Sequence, residues 1–375
     1  MSHRTPCERL PGMKYLAAIC LLGTSVAYAD APRELSLPAG FSIETLNFKV
    51  PNARQMALTG NGTLIVGTRR AGKVYAVADA LSAPAPEVVT IMKRLNMPSG
   101  VAINGNDLYI GAVDRVFKIE NIDSNLRKNP PQVLITGSLP DKSHHGWKYL
   151  KFGPDGALYV PVGAPCNICL SKDERFASLL KMDPVTGSTE VWAHGIRNSV
   201  GFAWHPERGE LWFTDNGRDS LGDDVPPDEL NVITTQGQHF GYPFIHAGDI
   251  ADPKFGDHRA ARGLSFVSPQ LEIQAHAAAL GMTFYDGEQF PDEYKNAIFI
   301  AEHGSWNRSE KVGYQVSVVF SEADGTLRYE PFISGWLVDD DVSGRPVDVL
   351  VAPDGSLLIS DDKGGVVYRV RYSGS

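Results

Sequence analysis

The sequence predicts an all-β protein, a six-bladed β-propeller whose blades are four-stranded antiparallel sheets. A turn of the type Gly/Pro-Asp/Asn-Gly followed by a short alternating apolar run recurs at least five times. With one weaker copy there are six units, spaced by roughly 45 to 80 residues, and the last leads into a closing strand pair at the C-terminus. Helix signals are short and rare, confined to places such as Glu174 to Met182.

Five of the six units have their own version of the turn and the strand that follows it, and the sixth has the strand alone. The copies are LTGNGTLIVGT (58–68), INGNDLYIGAVDRVFKIE (103–120), FGPDGALYVPVG (152–163), HPERGELWFTDNG (205–217), YKNAIFIAEHGSWN (294–307, without the turn) and APDGSLLISDDKGGVVYRV (352–370). A large sandwich and a β-solenoid are the alternatives. The period is too long for a solenoid and the copies are too alike for a sandwich, so the propeller is favoured.

The first 29 residues have the pattern of an export signal. From Met13 the chain carries one Lys, an apolar run and a small-x-small site that ends at Ala29. A lipid anchor on Cys20 is the alternative, but Ile19 stands where a small residue is expected. The sequence therefore predicts a signal peptide at 1–29, a propeller domain at 30–375, and a periplasmic or secreted protein.

Charge and hydropathy restrict the partners. The net charge is −9, and since the first 29 residues carry three basic and one acidic side chain, the remainder is near −11. An acidic chain without basic clusters repels phosphate backbones, so nucleic acid is not an expected partner. No later apolar run approaches the roughly 20 residues that span a bilayer, so the protein is not expected to be membrane-spanning.

Two cysteines remain after the signal, Cys166 and Cys169, in the sequence CNIC. In an oxidising compartment such a pair most often forms a short-loop disulfide. A redox-active pair would usually begin a helix in an alternating strand–helix pattern, and covalent haem would require His where Leu170 stands. All three interpretations remain open, with the disulfide favoured.

Functional residues of a propeller lie in loops at one mouth of the central channel. His144 and His145 precede the strand region of the third unit. An imidazole with an ordinary pKa near 6.5 can take a proton from a hydroxyl at neutral pH. The alternatives are a surface pair of histidines, or a histidine whose ring is satisfied by a backbone carbonyl.

Arg197 and Asn198 occupy a comparable loop before the strand GFAWHP. A guanidinium beside an amide suits a planar ligand rich in carboxylate or carbonyl oxygens, although an Arg in a salt bridge between blades would look the same. The same two interpretations apply to polar groups at matched positions of other blades. These are Arg54, His303, Asn307, Arg308 and Arg345. Taken together, they predict a multiply anionic ligand in the channel.

The loop DNGRDSLGDDVPPDE, residues 215–229, has the oxygen groups of a hard-cation site. It does not have the spacing of an EF-hand loop, and a plain solvated loop is the alternative. Its many Gly and Pro residues would turn the carbonyls of Gly217 and Arg218 inward, which suits a cation held jointly by protein and ligand.

The ordered motifs carry a resemblance. HHGW, LKFGPDGALYVPVG, GIRNSVGFAWHP, TDNGRDSLGDDVPPDELNVI, GQHFGYPF, EHGSWNR and GRPVDVLVAPDGSLLISDD follow one another. In this order they resemble the soluble glucose/sorbosone dehydrogenase family of PQQ-dependent quinoproteins, nearest to its sorbosone and pyranose dehydrogenase branch. The resemblance implies a six-bladed propeller that binds pyrroloquinoline quinone (PQQ) and Ca²⁺ at the channel mouth.

By the resemblance, residues of this chain acquire expected roles. His145 is the expected general base, Gly217 and Arg218 the expected backbone ligands of Ca²⁺. The expected cofactor contacts are Arg54, Arg197, Asn198, His303 and Arg345, with Asn307 and Arg308 of the EHGSWNR motif beside them. Val200 replaces a polar substrate contact of the glucose branch, and Arg218 stands where that branch has Pro, so glucose specificity is not implied.

The resemblance implies a PQQ- and Ca²⁺-dependent dehydrogenase of a sugar or sugar-derived aldehyde. Ca²⁺ would polarise the quinone carbonyl while His145 removes a proton from the substrate hydroxyl and hydride passes to the quinone. Since no haem motif is present, electrons would pass to an external acceptor, a quinone or a cytochrome. A calcium-dependent propeller lactonase and a non-catalytic periplasmic binding propeller are the alternatives.

Overall fold

The computed structural model describes residues 34–374, so the signal peptide expected at 1–29 lies outside the described residues. Six antiparallel four-stranded sheets follow one another along the chain as blades of a β-propeller, which confirms the predicted fold class. Blade 1 contains β2 (Ala53–Leu58), β3 (Leu64–Thr68), β4 (Lys73–Val77) and β5 (Val88–Lys93). Blade 2 contains β6 (Gly100–Asn104), β7 (Asp107–Gly111), β8 (Val116–Ile119) and β9 (Val133–Thr136). Blade 3 contains β10 (Lys151–Phe152), β11 (Leu158–Val162), β12 (Ser178–Met182) and β13 (Thr189–His194).

The second half of the ring has the same composition. Blade 4 contains β14 (Gly201–Trp204), β15 (Leu211–Asp215), β16 (Asp228–Ile233) and β19 (Leu271–Ile273). Blade 5 contains β20 (Ala279–Phe284), β21 (Ile298–Glu302), β22 (Gln315–Ser321) and β23 (Leu327–Ile333). Blade 6 contains β26 (Pro346–Val351), β27 (Leu357–Asp361), β28 (Val366–Tyr372) and β1 (Phe41–Thr45). Two hairpins lie outside the blades, β17 (Ile245–His246) with β18 (Ile250–Ala251) and β24 (Leu337–Val338) with β25 (Asp341–Val342).

Helices are limited to short 3₁₀ turns in the part of the chain that the structure describes, at Ile122–Asn125, Arg259–Ala261 and Asp292–Tyr294. The helical signal at Glu174 to Met182 is wrong, because Ser178–Met182 is strand β12, paired on both sides. Sheet pairing outweighs local helix propensity there. Between residues 34 and 374 no helix has the length and apolar character that a membrane crossing requires.

The ring closes through a strand from the start of the domain. β1 pairs with β28 in register from Phe41 opposite Tyr372 to Thr45 opposite Tyr368. The closing strand pair expected at the C-terminus is therefore completed by an N-terminal strand. The Phe41 ring anchors this strand at 4.8 Å from the Phe290 ring and 5.0 Å from the Phe332 ring, both in edge-to-face geometry.

The second strand of five blades, in β3, β11, β15, β21 and β27, is buried along its whole length. Runs such as LIV and LYV are continuous rather than alternating because each blade packs its faces against two neighbours. First strands of neighbouring blades contact one another around the axis, as β2 does with β6 and β26. In an antiparallel pair the start of the first strand and the end of the second lie at the same edge, so these loops meet at one mouth of the channel.

Candidate active site

A cavity of about 320 Å³ lies where these loops meet. Most of the residues singled out from the sequence line it, although they come from blades far apart in the chain. They are Arg54, His145, Arg197, Asn198, Gly217, His303, Asn307 and Arg345. Arg218 and Arg308 are not among its lining residues.

One wall of the cavity is cationic. Arg54 is only 2% exposed, and burial lowers the pKa of its guanidinium. Burial, together with the charge of Arg54, lowers the pKa of Arg69 to about 10, and the Arg69 guanidinium lies 3.7 Å from the centre of the Trp147 ring. Among the described residues, no acceptor pairs with Arg54 Nε, Arg69 Nε or Trp147 Nε1. Because buried donors are rarely left unpaired, this wall suits a ligand rich in anionic oxygens.

Asp362 holds three cationic or polar groups of this wall together. Its Oδ2 accepts a hydrogen bond from Arg54 Nη1 at 3.2 Å, and its Oδ1 lies 3.1 Å from His303 Nε2. Arg345 Nε is 2.9 Å from Oδ1, within ion-pair distance. Burial opposes ionisation of Asp362, but the His303 hydrogen bond and the charges of Arg54 and Arg345 outweigh it, so the pKa of Asp362 falls below its usual value.

His145 is held in a defined tautomer. Its Nδ1 lies 3.0 Å from the carbonyl oxygen of Ala164. Since a carbonyl only accepts, Nδ1 carries the proton and Nε2 keeps its lone pair. Burial, then the charges of Arg197 and His144, lowers the pKa of His145 to about 2, so the imidazole is neutral at physiological pH. Gly163 is required beside it, because a Cβ there would lie 2.5 Å from the Cβ of His145.

Arg197 is engaged mainly by the protein. Its Nε donates to the Asn167 carbonyl at 3.0 Å and its Nη1 to the Asn216 carbonyl at 3.1 Å. Its Nη2 donates to Asn167 Oδ1 at 2.8 Å and to Asp219 Oδ2 at 3.4 Å. Four of its five N–H groups are thus used, which leaves one on Nη1.

The backbone of the Arg197-Asn198 pair is fixed by a buried carboxylate. The amide of Arg197 donates to Asp215 Oδ2 at 2.7 Å and that of Asn198 to Oδ1 at 2.6 Å. Asp215 ends the buried strand β15, so the sheet positions the loop that faces it. Asn198 thereby lines the cavity.

The acidic loop is tied down by both of its ends. Asp228 Oδ1 accepts from the Gly217 amide at 2.8 Å, and burial raises the pKa of Asp228 to about 6. The Arg218 side chain turns away and pairs with Asp252 at 2.6 Å, so only its backbone is available to a cation. No donor of the described chain lies on the carbonyl oxygens of Gly217 or Arg218. Residues 34–374 hold no group of three or more His, Cys, Asp or Glu side chains that could bind a metal ion.

The EHGSWNR segment contributes to the site in three ways. His303 contacts Asp362, and Asn307 Nδ2 donates to Asp219 Oδ1 at 2.7 Å. Trp306 lies at the rim of the cavity with 80% of its surface exposed. Arg308 instead donates to the carbonyls of residues 223 and 275, and its Nη1 lies 3.2 Å from Asp224 Oδ1. The structure therefore places Arg308 against the acidic loop and not at the cavity where a cofactor contact was expected.

Sequence reasoning missed several residues of the site. Arg69, Trp147, Asn216, Asp219, His276 and Trp306 line the cavity, and Asp362 supports it. A usable signal was a polar residue directly after the second strand, which four of the six blades have. Arg69 follows β3, Asn216 follows β15 and Asp362 follows β27, as His303 follows β21.

The disulfide favoured for Cys166 and Cys169 is present, with the Cα atoms 6.2 Å apart.

Comparisons with known proteins agree with this architecture. An uncharacterised protein of Borreliella burgdorferi is 34% identical over 362 residues, 93% of each chain. The holo form of the pyranose dehydrogenase PQQ domain of Coprinopsis cinerea has a TM-score of 0.73 at 17% identity, covering 91% of this chain and 98% of that one. A calcium structure of a Trichoderma reesei carbohydrate-active enzyme of family AA12 has a TM-score of 0.72 at 20% identity, covering 90% and 97%.

These two structural likenesses show the fold, and the match to a family profile shows the family. The profile of the family described as Glucose / Sorbosone dehydrogenase matches residues 112–369, which run from the middle of blade 2, directly after β7, into β28. The matched range contains His145, Arg197 and Arg345, and all three line the cavity. The chain therefore belongs to the glucose/sorbosone dehydrogenase family.

Proposed function

We propose that this protein is a periplasmic or secreted dehydrogenase that uses PQQ and Ca²⁺ to oxidise a sugar or sugar-derived aldehyde and passes the electrons to an external acceptor. The observation that carries the proposal is the cationic wall, with its unpaired donors on Arg54 and Arg69, beside a neutral His145. Asp362 neutralises only part of this wall, and the Nε donors of Arg54 and Arg69 that remain unpaired favour an anionic ligand.

The residues present fit PQQ, a planar tricarboxylic acid. Arg54, Arg69 and Arg345 surround one side of the cavity and supply guanidinium forks for carboxylates. The Asn198 amide and the remaining N–H of Arg197 supply a further neutral and a further charged donor. The volume of the cavity is at the lower end of the range for small-molecule sites, roughly 300–1,000 Å³.

The backbone carbonyl groups at the cavity suit Ca²⁺. The carbonyls of Gly217 and Arg218 are hard oxygen donors without competing hydrogen bonds, and Gly217 lines the cavity. Asp228 fixes the Gly217 amide and thereby orients this turn. Bound PQQ supplies the acceptor for two electrons, and Ca²⁺ supplies a positive charge beside it.

The residues of the chain perform the remaining steps. His145 accepts the proton of the substrate hydroxyl at Nε2, because Nδ1 is already committed to Ala164. An anion bound against Arg197 offsets one of the charges that, after burial, lower the pKa of His145. Trp306 presents an exposed apolar ring at the rim, where a sugar ring enters.

Calorimetric titration with PQQ, with and without Ca²⁺, tests the proposal. We expect binding that requires Ca²⁺ and is weakened at least about tenfold by Arg345→Ala, since a charged hydrogen bond contributes roughly 1.5–3 kcal/mol. Arg371→Ala is the matched control, because Arg371 pairs with Glu44 on the surface. Dye reduction with a panel of aldoses and ketoaldoses then identifies the substrate. Absence of PQQ binding under both conditions refutes the proposal.

A further inference from the structure

The CNIC segment has a place in the site that family membership and the proposed chemistry leave unexplained. It lies in the loop between β11 and β12, in which residues 163–177 form no strand. The Cys166–Cys169 disulfide closes a ring of four residues around Asn167. Tyr242 secures this ring from outside, because its hydroxyl accepts from the Cys169 amide at 3.0 Å and lies 3.6 Å from Cys166 Sγ.

Asn167 connects two parts of the site. Its carbonyl and its Oδ1 accept from Nε and Nη2 of Arg197 at 3.0 and 2.8 Å. The same Oδ1 accepts from the Asp219 amide at 2.9 Å, and its Nδ2 donates to the Asp219 carbonyl at 3.0 Å. One residue thus orients both the guanidinium of Arg197 and the acidic loop.

A loop residue can hold this position only if its backbone is restrained. Fixing a residue costs conformational entropy, which the hydrogen bonds of Asn167 to the charged Arg197 must offset. The disulfide removes much of the freedom of the loop before those bonds form. Without it, Asn167 would have to be ordered by Tyr242, Arg197 and Asp219 alone.

We propose that Asn167 is a positioning residue for Arg197 and the acidic loop, and that the Cys166–Cys169 disulfide holds it in place, so that reduction of the disulfide loosens Arg197 and weakens binding of the anionic cofactor. The effect on the cofactor rests on the proposed function, whereas the effect on Arg197 does not. In the reduction, a dithiol gives two electrons and two protons to the two sulfurs. The S–S bond breaks, two thiols form, and the dithiol becomes its own cyclic disulfide.

The position of Arg197 can be read without any cofactor. Phenylglyoxal modifies accessible arginines, and Arg197 is only 4% exposed. We expect modification of the Arg197 peptide, measured by mass spectrometry, to be about tenfold faster in Asn167→Ala and in wild-type protein treated with dithiothreitol and iodoacetamide. Arg115, which is surface-exposed, should be modified at an unchanged rate. Asn167→Asp keeps the Oδ acceptor for Arg197 but lacks the Nδ2 donor to the Asp219 carbonyl, and should retain part of the protection of Arg197.

A Cys166→Ser/Cys169→Ser variant controls for the reagents. It should show the fast modification of Arg197 from the start and should not respond to dithiothreitol. Thermal unfolding of each protein establishes that it is folded, and the reduced wild-type protein carries no substitution. Equal rates for Arg197 in oxidised wild-type protein, reduced wild-type protein and Asn167→Ala overturn the proposal.

Calorimetry with PQQ and Ca²⁺ separates this inference from the proposed function. If oxidised wild-type protein does not bind PQQ, the proposed function fails and the modification rates alone decide the role of Asn167. If it binds, we expect the dissociation constant to rise on the order of tenfold on reduction and in Asn167→Ala. Unchanged affinity in a protein whose Arg197 has become reactive overturns the connection to the cofactor.

Discussion

His145 Nδ1 and the carbonyl oxygen of Ala164 are 3.0 Å apart, and this contact decides which ring nitrogen of the histidine can act as a base. Ala164 is only one residue beyond Gly163, whose lack of a Cβ lets the two segments approach. The backbone of His145 is itself in the left-handed region, with φ of 49°. A strained backbone and a close approach thus serve to aim one imidazole nitrogen into the cavity.

Replacement of this histidine should separate catalysis from cofactor binding. We expect His145→Gln to lower kcat for the sugar by about 10²- to 10⁴-fold, the usual contribution of a general base. PQQ affinity by calorimetry should change little, because the carboxylates are held by arginines. His144→Gln is the matched control and should keep most of the activity. A His145→Gln enzyme with wild-type kcat would assign the proton transfer to another group.

The pKa of His145 also predicts a dependence of stability on pH. The folded-state pKa of about 2 lies below the ordinary value of 6.5, so the unfolded chain binds a proton that the folded chain does not. This contribution to the free energy of unfolding is complete above pH 6.5 and decreases as the pH falls below it, by at most about 1.4 kcal/mol per pH unit. Urea unfolding of the cofactor-free protein between about pH 7.5 and about pH 4.5 measures this decrease. In His145→Gln the decrease should be smaller, and parallel curves would contradict the prediction.

Asp362 should be important for folding before any ligand binds. Asp362→Asn removes the buried negative charge that Arg54, His303 and Arg345 share, and leaves the cations facing one another. We expect the free energy of unfolding of the cofactor-free protein to fall by about 3–5 kcal/mol, measured by urea unfolding at neutral pH. Asp141→Asn on the surface serves as the comparison and should have almost no effect. Equal stability of the two variants would mean that the cluster does not depend on its carboxylate.

Arg308 can be assigned to one of two roles. The structure places its guanidinium against the acidic loop, at 3.2 Å from Asp224 Oδ1. We therefore expect Arg308→Ala to raise the Ca²⁺ concentration for half-maximal PQQ binding by about tenfold, with near-normal PQQ affinity once Ca²⁺ is saturating. Arg345→Ala should bind PQQ poorly at every Ca²⁺ concentration. If Arg308→Ala behaves like Arg345→Ala, Arg308 contacts the cofactor directly.

Trp306 should affect the substrate more than the fold. The ring is 80% exposed and contributes little to the core. Loss of an aromatic contact worth about 0.5–1.5 kcal/mol predicts a two- to tenfold rise in KM for Trp306→Ala, with kcat and the melting temperature nearly unchanged. Trp306→Phe should retain most of the contact. Steady-state kinetics on the best aldose of the panel provide the measurement, and an unchanged KM would place the sugar elsewhere on the rim.

The sequence by itself determined the repeating architecture and about half of the cavity's polar residues. Turn chemistry and apolar runs are local properties, so units such as FGPDGALYVPVG can be recognised one by one. Polar residues that interrupt this pattern at strand ends, such as Arg54 and His303, can be singled out for the same reason. The channel geometry of a propeller then brings them together, as the structure shows.

The tertiary structure alone decided which partner each of these residues has. Arg54 meets Asp362 across 308 positions of the chain, and β1 closes the ring against β28. Local pattern carries no information about such pairs, because they depend on how six blades close and not on any one blade. The orientation of Arg308 toward the acidic loop, and of Asn167 toward Arg197, was decided in the same way, by hydrogen bonds between loops that meet only after the blades have packed.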